Sequence, residues 1–247
     1  MGLWLAVLLF ASASAAPSTA AETVLVIGDS HTAGPFGGAL DDALRAGAGN
    51  RVATYGVCSA RPQSFLSETD HGCGRRFQDF SKKAPAKWLG GRVYRKTRPD
   101  GKGGTREVEF VKTPELGQLL DDHVPTAVVV ALGSNLPVSG ASVRKTLALI
   151  HKSGAACVWV GPPEMRKPAS APIDEVYQTL LENGVSPTAT LEESRKGFCR
   201  LVDSRGFPDL RYPATGGDGT HYQGTLAPLG KRWGEDAAAA VLAFLNP

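Results

Sequence analysis

Ser30, Asp218 and His221 are the residues whose types and spacing could do covalent chemistry. A serine hydroxyl is a weak nucleophile until a neighbouring base, usually an imidazole, takes its proton. The imidazole needs a carboxylate to fix its tautomer and orientation. Ser30 follows Gly28-Asp29, directly after the apolar run Val24-Leu25-Val26-Ile27. Asp218 stands three residues before His221 in Gly216-Gly217-Asp218-Gly219-Thr220-His221, close enough to turn back onto the ring. Ester cleavage also needs donors already aimed at a developing oxyanion. Gly56 offers a backbone N–H with no side chain in the way. Asn135, in Gly133-Ser134-Asn135, offers a side-chain amide, and the N–H of Ser30 is a third donor.

These residues can meet only if the elements around them form a parallel sheet. Thr23 to Ile27 reads as a fully buried strand. A helix follows from Pro35 to Ala46, with proline in its first turn and Phe36, Leu40 and Leu44 on one face. Val52 to Tyr55 is a second strand that stops at Gly56. Pro114 to Asp122 is a short helix, Ala127 to Leu132 a third strand, and Ser142 to Lys152 a helix closed by Gly154. Ala156 to Val160 is a fourth strand. Ile173, Val176, Tyr177, Leu180 and Leu181 form a further apolar stripe, Phe198 to Val202 a fifth strand, and Leu229 to Leu245 a closing helix. Strands alternating with helices predict a parallel sheet covered on both faces, with right-handed crossovers. Strand ends one, two and three then share one edge, where open α/β sheets bind ligands. The loop before the closing helix can reach the same edge.

Other readings of the glycines and serines fit less well. A phosphate loop needs Gly-Lys-Ser/Thr, but Gly34 is followed by Pro35 and Phe36. No glycine lies between Gly28 and Gly34, as a dinucleotide fingerprint would require. The G-x-S-x-G elbow is absent. His31 adjoins Ser30, and neighbouring side chains diverge, so it is expected to line the pocket or to bond locally. His71, His123 and His151 lie outside every block and are read as surface or structural residues.

The four blocks resemble the SGNH hydrolases, the GDSL-type serine esterases. Gly28-Asp29-Ser30 matches the first block, with His31 where leucine is commonest. Gly56 matches the second, Gly133-Ser134-Asn135 the third as Gly-x-Asn, and Asp218-Gly219-Thr220-His221 the last as Asp-x-x-His. The resemblance spans about Thr23 to Leu245, apart from an insert. It implies a three-layer α/β/α sandwich with a central parallel, flavodoxin-like sheet of about five strands. It also implies a Ser30–His221–Asp218 mechanism with an oxyanion hole of Ser30, Gly56 and Asn135. His31 and Ser134 would face the substrate, and Ser134 is explained as the spacer of Gly-x-Asn. No metal or organic cofactor is implied.

Of 247 residues, 42% are hydrophobic and 21% charged, with a net charge of +3, which does not call for nucleic acid. Met1 to about Ala16 reads as a signal peptide. Its apolar core, Leu3 to Phe10, is too short to span a bilayer, and Ala13-Ser14-Ala15 supplies a small-x-small cleavage site. The rest, 22–247, is expected to form one domain, a monomer that does not insert into membrane, in the periplasm or outside the cell. The four cysteines contain no C-x-x-C pair. In an exported chain we expect Cys58 bonded to Cys73 and Cys157 to Cys199, other pairings remaining open.

The long segment between Val57 and Thr113 includes a basic hairpin, at about 82–112, turning at Pro99-Asp100-Gly101. It is either a solvated excursion or a flap facing substrate. Trp88, Tyr94 and Phe110 could stack on sugars or pack the hairpin. The reading as a whole is an exported esterase that takes short acyl groups, acetyl above all, from carbohydrate. The alternatives are a lipase, lysophospholipase or thioesterase for longer chains, or a carbohydrate-binding module without turnover.

Overall fold

The structure, a computed structural model, describes residues 22–47, 51–71, 75–78, 80, 94–99, 101–164, 173–207, 210 and 218–247. The expected leader, Cys73, Trp88 and the first part of the expected hairpin insert, 82–93, lie outside the described residues. In chain order come β1 (Thr23–Gly28), α1 (Ser30–Ala33), α2 (Pro35–Ala46), β2 (Arg51–Val57), β3 (Asp70–His71) and β4 (Arg75–Gln78). Next are β5 (Tyr94–Pro99), β6 (Thr105–Lys112), α3 (Leu116–His123), β7 (Ala127–Ala131), α4 (Gly140–Ser153) and β8 (Ala156–Val160). Then follow α5 (Ile173–Glu182), β9 (Val185–Ser186), α6 (Leu191–Ser194), β10 (Cys199–Val202) and α7 (Ala227–Leu245).

The main sheet has seven strands in the order β4-β2-β1-β7-β8-β10-β9. The five expected strands form its parallel centre, β2-β1-β7-β8-β10. Two short edge strands were not expected: β4 runs antiparallel to β2, and β9 adds a two-residue parallel edge to β10. Counted along the chain, the parallel strands lie in the order 2-1-3-4-5, the flavodoxin-like arrangement. That order reverses between β1 and β7, so the crevice lies at their carboxyl ends.

Alternation sorts each strand's side chains into two cores. Leu25, Ile27, Val128, Val130 and Trp159 face α3, α4 and α5 through Leu119, Ile150 and Leu180. Val24, Val26, Val129 and Val158 face α2 and α7 through Phe36, Leu40, Trp233 and Val241. The molecule is a three-layer α/β/α sandwich. Glycine lets α2 and α7 cross closely, since a Cβ on Gly234 would lie 2.3 Å from the Phe36 carbonyl oxygen. Of the α5 stripe, Val176, Tyr177 and Leu180 are buried as expected, but Leu181 is 45% exposed. It stands one residue beyond the buried face, as helical geometry requires.

Cys157 and Cys199 form a disulfide between neighbouring strands β8 and β10, with Cα atoms 4.6 Å apart. Cys58 is also disulfide-bonded. Among the described residues, no helix is long and apolar enough to cross a membrane. The expected hairpin is present as β5 and β6, and β3 extends it to a separate three-stranded sheet.

Candidate active site

The first three blocks meet at one sheet edge because the register aligns them. Gly28 pairs with Gly56 on one side and with Ala131 on the other, two residues before Gly133. Asp29 caps the short helix α1, its Oδ1 accepting from the His31 N–H at 3.0 Å, which places Ser30 in the first helical turn. Gly133 adopts φ 144°, a conformation that favours glycine, and a Cβ there would lie 3.0 Å from Pro162 Cδ. The buried Trp159 indole N–H donates to the Leu132 carbonyl at 2.8 Å and anchors the start of the same loop.

The last block arrives from the loop before α7. The Asp218 Oδ1 accepts from the Thr220 N–H at 2.9 Å and the His221 N–H at 2.7 Å, a turn built by the aspartate itself. Its Oδ2 lies 2.6 Å from His221 Nδ1, and His221 Nε2 lies 3.0 Å from Ser30 Oγ. The chain Asp218–His221–Ser30 is therefore continuous. With Nδ1–H directed at the carboxylate, Nε2 is the acceptor facing the hydroxyl. Burial works to raise the Asp218 carboxyl, but the His221 N–H, the His221 ring and the Thr220 N–H outweigh it. Together they hold the group well below the usual carboxylate range.

Asn135 Nδ2 donates to the Ala60 carbonyl at 3.2 Å, which fixes the plane of its amide beside the loop after β2. Gly56 carries a second demand besides its N–H. A Cβ there would sit 2.5 Å from both Ala33 N and Thr32 C, inside the turn that carries Ser30. Gly56→Ala should push that turn aside and cost about 1–3 kcal/mol of stability, the range for overpacking. Chemical denaturation together with turnover of an aryl acetate checks this. An unchanged midpoint and rate would mean that the α1 turn yields freely.

Two expected substrate-facing residues are buried. Ser134 is 5% exposed and interacts with Asp29. Asp29 is pushed up to about 6 by burial, against the opposing bonds from His31 and Ser134. His31 is 4% exposed, and it lines the small depression beside Ser30. Its ring is 5.4 Å from that of His221, 5.2 Å edge-on from Trp233 and 6.1 Å from Tyr222. Its Nε2 has no hydrogen-bond partner among the described residues.

Burial, and then the charge of His221, push the His31 imidazole down to about 3 from an ordinary 6.5, with Asp218 opposing. Between those values the unfolded chain binds a proton on His31 that the folded chain does not. Stability contributed by the neutral ring is therefore lost as pH falls through that window. His31→Leu should lose less stability than the wild type between pH 6.5 and 4.5, measured by urea midpoints. A difference that stays constant with pH would mean that the ring takes up its proton equally in the folded and the unfolded chain.

Several residues that build the site had no sequence signal. Arg76 pairs with Gly56 across the antiparallel edge, and its Nη2 donates to the Gly34 carbonyl at 3.2 Å, tying β4 to the α1–α2 junction. Tyr222 and Trp233 wall the imidazoles from below, Trp233 stacking on Phe36 with centroids 3.7 Å apart. The remaining histidines are structural. His123 Nε2 lies 2.6 Å from the Tyr55 hydroxyl, His151 Nδ1 lies 2.8 Å from the Arg195 carbonyl, and His71 is buried.

Beside Ser30 is a depression of about 10 Å³, lined by Ser30, His31, Gly34, Pro35, Phe36, His221, Tyr222 and Gln223. A cleft of about 860 Å³ lies elsewhere, between α6, β10 and the end of α7, and contains none of the site residues. The larger volume is not where the reactive groups are.

Among solved structures, a peptidoglycan O-acetylesterase aligns with 91% of this chain and 91% of its own, at 15% identity and a TM-score of 0.45. A DUF4886 family protein from Bacteroides uniformis aligns with 89% of this chain and 95% of its own, at 12% identity and a TM-score of 0.36. No family model matches the chain, and no curated protein matches it.

Proposed function

We propose that the protein is an exported serine esterase of the SGNH type that removes acetyl groups from carbohydrate esters. The observation that carries this reading is the hydrogen-bonded chain Ser30 Oγ–His221 Nε2–Asp218 at the switch point of the sheet. A protein that only bound its ligand would have no use for a hydroxyl, an imidazole and a carboxylate in that order. Export is supported by the leader-like first 16 residues and by the disulfide between Cys157 and Cys199, since such bonds persist in oxidising compartments.

In the proposed reaction the Ser30 Oγ attacks the ester carbonyl carbon while His221 Nε2 accepts the hydroxyl proton. The tetrahedral oxygen is held by the N–H groups of Ser30 and Gly56 and by the Asn135 amide. Collapse expels the sugar oxygen, which takes the proton from His221. Water then attacks the acyl-serine carbonyl carbon, giving a proton to His221 Nε2; the bond from that carbon to Ser30 Oγ breaks, Oγ takes the proton back from His221, and the acid leaves. Throughout, Asp218 holds the Nδ1–H and stabilises the transient imidazolium.

The small depression at Ser30 supports a short-acyl preference. A methyl group fits such a site, whereas each further methylene meets the wall and forfeits the usual ~0.8 kcal/mol of burial. The kcat/KM on p-nitrophenyl esters should fall from acetate to butyrate to octanoate. A fluorophosphonate probe should label the wild type but not Ser30→Ala. Preference for octanoate would favour a lipase or thioesterase, and absence of labelling would favour a carbohydrate-binding module.

A further inference from the structure

The inserted sheet segregates charge by register. In an antiparallel pair, residues directly opposite share a face and alternate positions change face. β5 and β6 pair Tyr94 with Phe110, Lys96 with Val108 and Arg98 with Arg106, and β3 pairs Asp70 with Lys112. One face thus collects the positions of Lys96, Arg98, Arg106 and Lys112, with Asp70 as its one acidic position among these pairs. The opposite face takes Arg95, Glu107 and Glu109. Arg98 and Arg106 are paired directly across the two strands in register. Lys96 Nζ lies 3.3 Å from Asp70 and 5.5 Å above the Phe110 ring, and Lys112 pairs with Glu68. The ring of Phe110 is itself buried, so it packs the sheet.

The sheet is rooted beside the candidate active site. The Thr113 N–H donates to the Thr69 carbonyl at 2.7 Å, closing the base of β6 on the segment that leads into β3. The buried His71, in β3, hydrogen-bonds the backbone of Cys58, two residues after Gly56. The sheet that carries the cationic face therefore springs from the same loop that borders Gly56, tied to it by His71 at the opposite face.

We propose that this face binds an anionic glycan and that the bound polymer is the one whose ester reaches Ser30. The inference rests on the esterase reading above and names its substrate class. Guanidinium groups suit carboxylates because the planar fork matches two oxygens at once. A chain of uronate-like sugars brings such carboxylates and acylated hydroxyls on the same molecule. Nucleic acid would meet the charge but carries no acyl ester.

The test compares the wild type with the triple variant Lys96→Ser, Arg98→Ser, Arg106→Ser. Hydrolysis of p-nitrophenyl acetate should be equal in the two. On O-acetylated polygalacturonate the variant's KM should rise about tenfold with kcat kept, as loss of several screened charge contacts implies. On acetylated glucomannan, a neutral polymer, KM should not change. Added salt should raise the wild-type KM on the anionic polymer and leave the variant's nearly flat.

Binding is read separately, without turnover, by affinity electrophoresis of Ser30→Ala in gels holding polygalacturonate. Retardation that disappears when the three substitutions are added supports the proposal. It is overturned by no retardation, by equal KM on both polymers in both proteins, or by tighter binding to duplex DNA or phosphatidylglycerol vesicles. If retardation persists while the wild type neither hydrolyses p-nitrophenyl acetate nor takes the fluorophosphonate label, the esterase reading fails and the glycan surface stands.

Discussion

Replacing Ser30 by alanine is expected to lower ester hydrolysis on the order of 10⁴-fold or more. The reason is positional as well as chemical. Ser30 Oγ is the hydroxyl that His221 Nε2 reaches, at 3.0 Å, and without it no acyl-enzyme can form. His221→Ala should cost as much, because the hydroxyl then has no acceptor for its proton. The double variant should be no worse than either single one, since groups that act as one unit lose their effect together. Asp218→Asn should hurt less, a neutral amide still being able to orient the ring in part. Initial rates on p-nitrophenyl acetate, with thermal unfolding as a control for folding, decide the matter. Near-normal turnover by Ser30→Ala would overturn the mechanism.

Asn135→Ala is the next largest expected loss, roughly 10²–10³-fold in kcat with little change in KM. An amide nitrogen carries two hydrogens. In Asn135 one bond from that nitrogen goes to the Ala60 carbonyl, so the side chain is held before substrate arrives. A donor fixed in this way strengthens its bond only as the ester oxygen gains charge, which is why the effect should fall on kcat. Asn135→Asp, which puts a negative charge where an oxyanion must form, should be at least as damaging. A variant that raised KM and spared kcat would place Asn135 in binding the ground state.

The candidate site was legible in the sequence because its blocks are short local patterns. The β-branched run ending at Gly28-Asp29-Ser30 implies a buried strand and a turn at its end. The Asp218-Gly219-Thr220-His221 spacing is also self-contained: the carboxylate caps the two amides that follow it and thereby finds the imidazole. The parallel centre followed from alternating strands and helices, whose hydrophobic periods leave few arrangements. Gly56 and Asn135 were recognisable for the same reason, as residues placed just beyond strand ends.

What surrounds those residues was decided only by the tertiary structure. β4 and β9 are too short to show a period, and β4 is antiparallel because it joins an edge that the core strands leave open. Leu181 looked like part of a stripe until the helix's rotation against the sheet turned it outward. His31 and Ser134 adjoin Ser30 and Asn135 in the chain, and the α1 turn and the Gly133 loop bury both, His31 still bordering the depression beside Ser30. There burial, not sequence neighbourhood, sets the protonation of His31. Arg76 reaches Gly34 across 42 residues of sequence, a contact that no spacing rule contains. The sequence by itself determined which residues make up the candidate site and on which strand ends they stand, because propensity and turn chemistry act over a few residues. The fold decided which of them are buried, paired or left facing solvent, because those properties belong to contacts between distant segments.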